Sequence, residues 1–498
     1  MKAILILFLT NYLRFSDDRA TTILHSFVVL AYLTPLLGGP LADSYLGKFR
    51  TILYLSMVYC LGMIVVAVTA IPGVTGHPPH WWGLCAGLFL VALGTGGIKP
   101  CVSAFGGDQF DPASQGKALA LFFSLFYASI NVGSLVSMIS TPMLRDDVSC
   151  FGQDDCYSLA FGVPALLMLV AMTVFVVGRR QYIRVPVREN VLAIFLSVVW
   201  ISLRSKLARC CRSAPSRPKS SEPRKGQDLG WLEPAVAVHG ASRVADCRAA
   251  LRILLIFIPA SAFWSCYDQT SSRWTLQALR MNGHGVIKPD QIQALAPILV
   301  VLFIPLFEKV IYPGLGRLGV TLSPLQRMGL GTFGAAVAFV ITAMIQFSVD
   351  KTCCNGLDSE ELEELHRHGE FGDCREASCV SVFWQVPAYA VLVAAEVLFS
   401  ISGLAFAYSE APESMKGIMQ AGWLLTVAAG NVVVIITAES ALFSQAIEFF
   451  FFAGLLVLVT GVHTFLAVRY TPNDSTSSAP PPERVTDVAL GDSTPLLP

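Results

Sequence analysis

The sequence predicts an all-α membrane protein, built as two six-helix bundles with an incomplete first helix. Three observations predict it. Hydrophobic residues make up 54% of the 498 and charged residues only 14%, where a soluble chain carries about 25% charged. Apolar runs of membrane-crossing length recur along the chain, and a long basic segment divides them. This composition excludes disorder and most soluble folds. A net charge of zero leaves no global field to attract nucleic acid, so none is expected as a partner. The bilayer is.

A membrane helix needs roughly 20 apolar residues. Such runs lie at Thr22–Leu41, Thr51–Ile71, Trp81–Val102, Leu119–Met143, Leu159–Val177, Ala249–Tyr267, Ile292–Ile311, Met328–Val349, Val380–Phe406, Gly417–Ala438 and Ile447–Val468. Ala3–Tyr12 is apolar but about half that length. It is expected to be either re-entrant or a helix without its front half, and no cleavage site follows that would make it a signal peptide. Val191–Leu203 is short and runs into Arg204, Lys206 and Arg209, the pattern of a helix lying along the interface. The expected organisation is an N-terminal bundle over 1–178, a cytoplasmic linker with that interfacial helix over 179–248, a C-terminal bundle over 249–468, and a disordered Ser/Thr/Pro-rich cytoplasmic tail over 469–498.

Charge sets the orientation. The segment 178–248 carries Arg179, Arg180, Arg184, Arg188 and ten further Lys or Arg against five acids, whereas 350–379 carries nine acids against Lys351, Arg367 and Arg375. The positive-inside rule puts the first in the cytoplasm and the second outside. The two have opposite parity in the helix count, so the assignments agree. Paired bundles joined by a cytoplasmic linker suggest an alternating-access carrier. On the outer side, Cys150 and Cys156 flank a loop and could bridge. Cys353, Cys354, Cys374 and Cys379 share another, with several pairings open.

An ionisable residue at a span centre costs about 2.5–3.5 kcal/mol even on insertion scales, so it faces a cavity or a partner. Five stand out: His25, Lys99, Arg252, Glu308 and Glu396. His25 and Lys99 lie near span ends, where an interfacial or snorkelling role competes with function. Arg252 and Glu308 lie near the cytoplasmic ends of successive spans, as a structural pair or a gate. Glu396 is mid-span with no cation within a turn, so it must be neutral, paired across the bundle, or held for a cationic substrate. Tyr127 and Asn131, Trp264 and Asp268, and Tyr389 and Glu396 recur at helical spacing. With Trp423 they would line one polar cavity. Each alone is more often packing. No HExxH, paired metal cysteines or nucleophile elbow occurs, and Gly94-Thr-Gly-Gly-Ile-Lys99 lacks the order of a phosphate loop. Neither an enzyme nor a cofactor is expected.

Gly94-Thr-Gly-Gly-Ile-Lys-Pro-Cys-Val-Ser-Ala-Phe-Gly-Gly-Asp-Gln-Phe110 resembles the signature of the proton-coupled oligopeptide transporters, within the major facilitator superfamily. Phe126-Tyr-Ala-Ser-Ile-Asn131, Asp268-Gln with Ser272-Arg-Trp-Thr-Leu-Gln277, and Gln420-Ala-Gly-Trp-Leu-Leu-Thr426 extend the likeness over most of residues 1–470. It is nearest to the intestinal and renal di- and tripeptide carriers of animals. The resemblance implies a monomeric plasma-membrane symporter of small peptides driven by the proton gradient, with an endolysosomal membrane as the other location. Glu396 and Asn131 would take the peptide amino terminus, Lys99 would serve coupling and the carboxylate end, and His25 would be linked to protons. Arg252 and Glu308 would gate, and Trp264, Tyr127 and Trp423 would shape side-chain pockets. Opposed charged poles suit a zwitterion of fixed length, while tolerant aromatic pockets accept its varied side chains.

The sequence also departs from the family. Its first helix ordinarily carries Glu-x-x-Glu-Arg. Here the chain begins where that motif would end, with Lys2 at a position where relatives commonly have Arg, so a truncated or misassigned start is expected rather than a new design. Lys99 then lacks its family partner. Ala296 and Ala405 stand where relatives often have Asn and Glu, and the large domain of the animal carriers between the ninth and tenth spans is replaced by about 30 residues. The competing expectations are a carrier of another small solute, such as histidine or nitrate, and a transport-defective form or sensor.

Overall fold

The computed structural model describes residues 2–75, 81–111, 114–184, 191–210, 230–283, 286–352, 380–412 and 415–470. The expected tail, the middle of the linker and the loop with Cys353, Cys354, Cys374 and Cys379 lie outside the described residues. Among those described, ten helices are long and apolar enough to cross a membrane, or eleven if one bent pair counts as a single span.

The first half comprises α1 (Lys2–Leu7), α2 (Asp17–Leu33), α3 (Pro35–Leu41), α4 (Lys48–Thr69), α5 (Trp81–Gly107), α6 (Gly116–Asp146) and α7 (Tyr157–Val177). Helix α8 (Val191–Cys210) and the short α9 (Val236–His239) follow. The second half comprises α10 (Ala241–Phe257), α11 (Ala260–Tyr267), α12 (Arg273–Leu279), α13 (Leu295–Leu306), α14 (Tyr312–Arg317), α15 (Pro324–Thr352), α16 (Gln385–Glu396), α17 (Ser402–Glu410), α18 (Lys416–Ser440) and α19 (Gln445–Arg469). Several of these are pieces of one span, joined through π-helical turns such as Phe307–Ile311 and Val397–Ile401.

Local chemistry explains the key elements. Ser16 caps α2 by accepting from the Arg19 amide, and Asp17 and Asp18 occupy its positive first turn. Helix α1 is buried on every side, with Ile4, Leu5, Ile6, Phe8 and Leu9 all at 0% exposure. A helix apolar all round is a core element, so the short first run is not lipid-facing. The glycines of Gly94-Thr-Gly-Gly97 let α5 touch α2 and α4: a Cβ on Gly96 would strike Thr34, and one on Gly97 would strike Leu55. The Thr34 hydroxyl uses that closeness to donate to the Ala92 carbonyl at 2.8 Å. The glycine-rich signature lies inside the span, as expected, and serves there as a helix-packing surface.

Two expectations are corrected. The predicted span Ala249–Tyr267 runs from Ala241 to Leu279, bent by 46° between its two stretches. Its polar outer part, Asp268–Leu279, fell below the apolar threshold because partners that satisfy it come from other helices. Val191–Leu203 extends to Cys210, and Val191–Ala208 is long and apolar enough to cross a membrane. Its inner face joins the core through Phe195 and Val198, and Ser197 bonds His239 at 2.9 Å.

Candidate functional site

The site is built on the broken span. After α11 the chain makes a tight turn at Asp268–Ser271, leaves helical geometry at Ser272 (φ −129°, ψ −91°), and resumes as α12. That break turns Asp268, Ser272 and Arg273 toward the first half. Lys2 Nζ lies 2.7 Å from Asp268 Oδ1. Asn431 Nδ2 donates to Asp268 Oδ2 at 2.7 Å and to the Val427 carbonyl at 2.8 Å. Its Oδ1 is thus left as an acceptor and faces His25 Nδ1 at 2.5 Å. His25 Nε2 lies 2.8 Å from Ser272 Oγ. Nδ1 must carry hydrogen, while Nε2 accepts from the serine when neutral and donates to it when charged. Either protonation state therefore keeps the His25–Ser272 contact, and beside a charged imidazole the serine hydrogen turns to the Gln269 carbonyl 3.5 Å away. His25 is fully buried.

Ion pairs continue this contact, most of them between the halves and two, Arg273–Glu448 and Arg145–Asp155, within one half. Arg273 meets Asp18 at 2.5 Å and Glu448 at 2.9 Å, and Arg280 meets Asp17 at 2.8 Å. Arg145 pairs with Asp290 at 3.1 Å and with Asp155 at 3.2 Å, and Lys288 meets Asp146 at 3.0 Å and Asp147 at 2.5 Å. These contacts cluster at the end that the charge pattern assigns to the outside. Burial pushes the Asp290 and Asp155 carboxyls above the usual range against the pull of Arg145. Burial works the other way on Lys288, but hydrogen bonds to Asp147 and Asp146 hold it above its ordinary value. A disulfide joins Cys150 to Cys156 and closes the loop that carries Asp155. Sequence reasoning missed Arg145, Arg273, Asp290 and Glu448, because charges near span ends read as solvated, and it singled out Lys2 only as a departure from the family. The signal available was several opposite charges at the same end of successive spans.

Deeper in the second half, Glu396 ends α16 and is half-buried, with Oε2 lacking a hydrogen-bond partner. The Tyr267 hydroxyl interacts with its carboxylate. Trp264, on the same helix as Tyr267, also has a buried Nε1 without a partner. Its ring stands edge-on to Tyr267 (5.8 Å between centroids) and to Trp423 (6.0 Å), and Trp423 stacks on Phe399 at 5.7 Å. Trp264, Tyr267, Glu396 and Trp423 thus form one aromatic-walled anionic site. On the opposing half, exposed Lys99 lies over the Tyr32 ring, 3.9 Å from its centroid. Asn131 is half-buried on α6, and the Tyr127 side chain lies outside the described residues.

Other expected members separate from this site. Tyr389 is fully buried and packs edge-on against Trp274 at 4.8 Å, with its hydroxyl toward the Thr270 carbonyl. It shares a helix face with Glu396 but points into the core of its own half. Asp268 belongs to the inter-half network, not to the wall beside Trp264, because the chain turns between them. Arg252 and Glu308 are both exposed and form no ion pair with each other among the described residues. Arg252 instead lines, with Arg248, Leu255, Ile258, Ser261 and Thr426, a cavity of about 600 Å³ along α10 and α18. Ser261 stands one turn before Trp264. Among the described residues no three His, Cys, Asp or Glu side chains gather as metal ligands.

The arrangement has relatives. Residues 49–447 match the family model described as PTR2, POT family. Solute carrier family 15 member 2 of Danio rerio is 34% identical over 95% of this chain and 88% of its own length. The Homo sapiens protein of that name is 31% identical over 95% and 87%. Among solved structures, the POT family transporter PepTSo is 32% identical with a TM-score of 0.75, covering 94% of each chain. An auto-inhibited POT family peptide transporter is 31% identical with a TM-score of 0.76, covering 97% of this chain and 95% of its own. In sequence and in its two-bundle, major facilitator-type fold, the chain belongs to the POT family.

Proposed function

We propose that this chain is a proton-coupled symporter of di- and tripeptides that works by alternating access. The observation that carries the reading is the pair of unpartnered buried atoms at one site, Glu396 Oε2 and Trp264 Nε1. A carboxylate oxygen without a donor suits a peptide ammonium, and an indole N–H beside it suits a carbonyl. Lys99 on the opposing half is the cation for the peptide carboxylate. Two charges about 4 Å apart at an effective dielectric near 20 interact by roughly 4 kcal/mol, and desolvation offsets much of it. Binding stays weak enough for release.

The relatives support the cargo: one similar structure is described as a peptide transporter. The conformation, closed at the outer end by paired charges, corresponds to the state that delivers cargo inward. His25 joins the halves and can hold a proton in two states, so it is the candidate coupling residue, with Lys2 and Asp268 beside it. The plasma membrane is the proposed location, the monomer the proposed working unit, and the proton gradient the energy source, with no other cofactor.

The test is uptake of a labelled, hydrolysis-resistant dipeptide into cells or reconstituted vesicles. Uptake should rise on external acidification, and Glu396→Gln should lower it by at least about tenfold, the equivalent of one lost charge-assisted hydrogen bond. Full, pH-independent uptake by that variant would discard the assignment.

A further inference from the structure

The broken outer part of the bent span is held by amides. Leaving helical geometry at Ser272 starts a new helix at Arg273, and the carbonyls of its first turn keep a second lone pair that buried amides can use. Gln385 Nε2, from α16, donates to the Trp274 carbonyl at 3.0 Å, and Gln445 Nε2, from α19, to the Arg273 carbonyl at 3.0 Å. Gln385 Nε2 also donates to Gln277 Oε1 at 2.8 Å. Gln277 Nε2 donates to Gln346 Oε1 at 2.9 Å and to the Thr342 carbonyl at 3.1 Å, and Gln346 Nε2 donates to Asp350 Oδ1 at 2.7 Å. Gln277, Gln346 and Gln385 are all at 0% exposure.

This chain has one direction. The Trp274 and Thr342 carbonyls can only accept, so Gln385 and Gln277 must turn their nitrogens toward them, and the Gln277 nitrogen in turn fixes the oxygen of Gln346. The acceptor left over is Gln385 Oε1, which has no partner. Reversing any member sets nitrogen against nitrogen or oxygen against oxygen inside a dry core, where each mismatch is costly.

We infer that Gln277, Gln346 and Gln385 are positioning residues for the outer seal. Their amide chain ties α12 to α15 and α16, so that Ser272, Arg273 and Arg280 are presented to the first half as one rigid unit. None of the three touches the partners of the seal; they act through α12. The inference rests on the alternating-access reading but not on the identity of the cargo.

The experiment measures outer opening directly. Thr21, fully buried on α2 one turn from His25, is replaced by cysteine in the full chain, with other accessible cysteines blocked first. Its reaction with a membrane-impermeant maleimide added outside is timed. Gln277→Met and Gln346→Met, similar in volume, should each speed labelling by about five- to tenfold, the scale of one lost hydrogen bond. Gln346→Glu in its neutral form accepts from Gln277 and donates to Asp350, so it should stay within about twofold of the parent. Labelling of both Met variants at the parent rate overturns the inference, and so does equal acceleration by Gln346→Glu, since keeping the bonds would then not keep the outer end closed. If a Met variant does not reach the membrane, Gln445→Met at the half-buried end carries the same expectation and the same refutation. Absent dipeptide uptake with the labelling pattern intact refutes the cargo and leaves the positioning role standing.

Discussion

His25 and Asn431 stand 406 positions apart in sequence, yet His25 Nδ1 lies 2.5 Å from Asn431 Oδ1 at the seam between the halves. Asn431 in turn donates to Asp268, which holds Lys2. One imidazole is therefore joined, through Asn431 and Asp268, to the Lys2 ammonium. His25→Gln keeps a donor and an acceptor but cannot titrate near neutral pH. We expect it to retain dipeptide binding while losing the acid stimulation of uptake. Acid stimulation of normal size in that variant would remove His25 from the coupling role.

The Arg145–Asp290 pair is the most buried ionic contact of the seal, with side chains 6% and 0% exposed. Truncating one partner of such a pair strands the other charge. Asp290→Ala should cost about 3 kcal/mol in the closed state, an upper figure because Asp146 and Asp155 still face Arg145. Arg145→Met with Asp290→Leu should recover much of that loss. Thermal unfolding in detergent compares the single and double variants, and a double variant no more stable than the single one would show that the pair does not act as a unit.

Asp155 and Asp290 carry pKa values raised by burial. If separation of the halves exposes them and returns them toward about 3.9, the closed state binds protons more tightly than the open one. The sign follows: acidification from neutrality toward about pH 4 favours closure. Asp146 is held below its usual value by Lys288 and Arg145, which overcome its burial, so it opposes the trend. Asp155→Asn should flatten the acid-induced fall in maleimide labelling at Thr21→Cys, taken relative to a free thiol at the same pH because the thiolate is the reacting form. An unchanged pH profile would assign the response to other groups.

The α5 glycines make a steric prediction with an internal control. Gly97→Ala collides with the flexible end of Leu55, whereas Gly96→Ala meets the Thr34 side chain and backbone. Each should lower stability by about 1–3 kcal/mol through overpacking. Adding Leu55→Ala should restore most of the loss for Gly97→Ala and none for Gly96→Ala. Thermal stability of the single and paired variants measures it, and equal rescue of both would contradict the packing described.

Much of the architecture was legible in the chain. Apolar runs of bilayer length marked most spans because lipid imposes that length on any helix that crosses it. The glycine-rich stretch before Lys99 marked the family, and Glu396 announced itself by being charged in an apolar run. Cys150 and Cys156 were near enough in sequence for their pairing to be suggested. The outer part of the bent span was not legible: Ser272-Arg-Trp-Thr-Leu-Gln277 is too polar to read as membrane-embedded, and its partners lie far away along the chain. Tyr389 shows the converse, since helical spacing places it on the face of Glu396 but cannot say that Trp274 closes over it.

Sequence by itself determined the solvent in which the chain folds, the number and approximate position of most helices, and the residue types fit to bind a zwitterion. Only tertiary structure decided which charges pair, which aromatic rings wall the site, and which end of the molecule is shut. The reason is physical. Burial of apolar helices depends on local composition, whereas an ionic or hydrogen-bonded contact depends on distances of a few ångströms between segments whose separation along the chain carries no information about them.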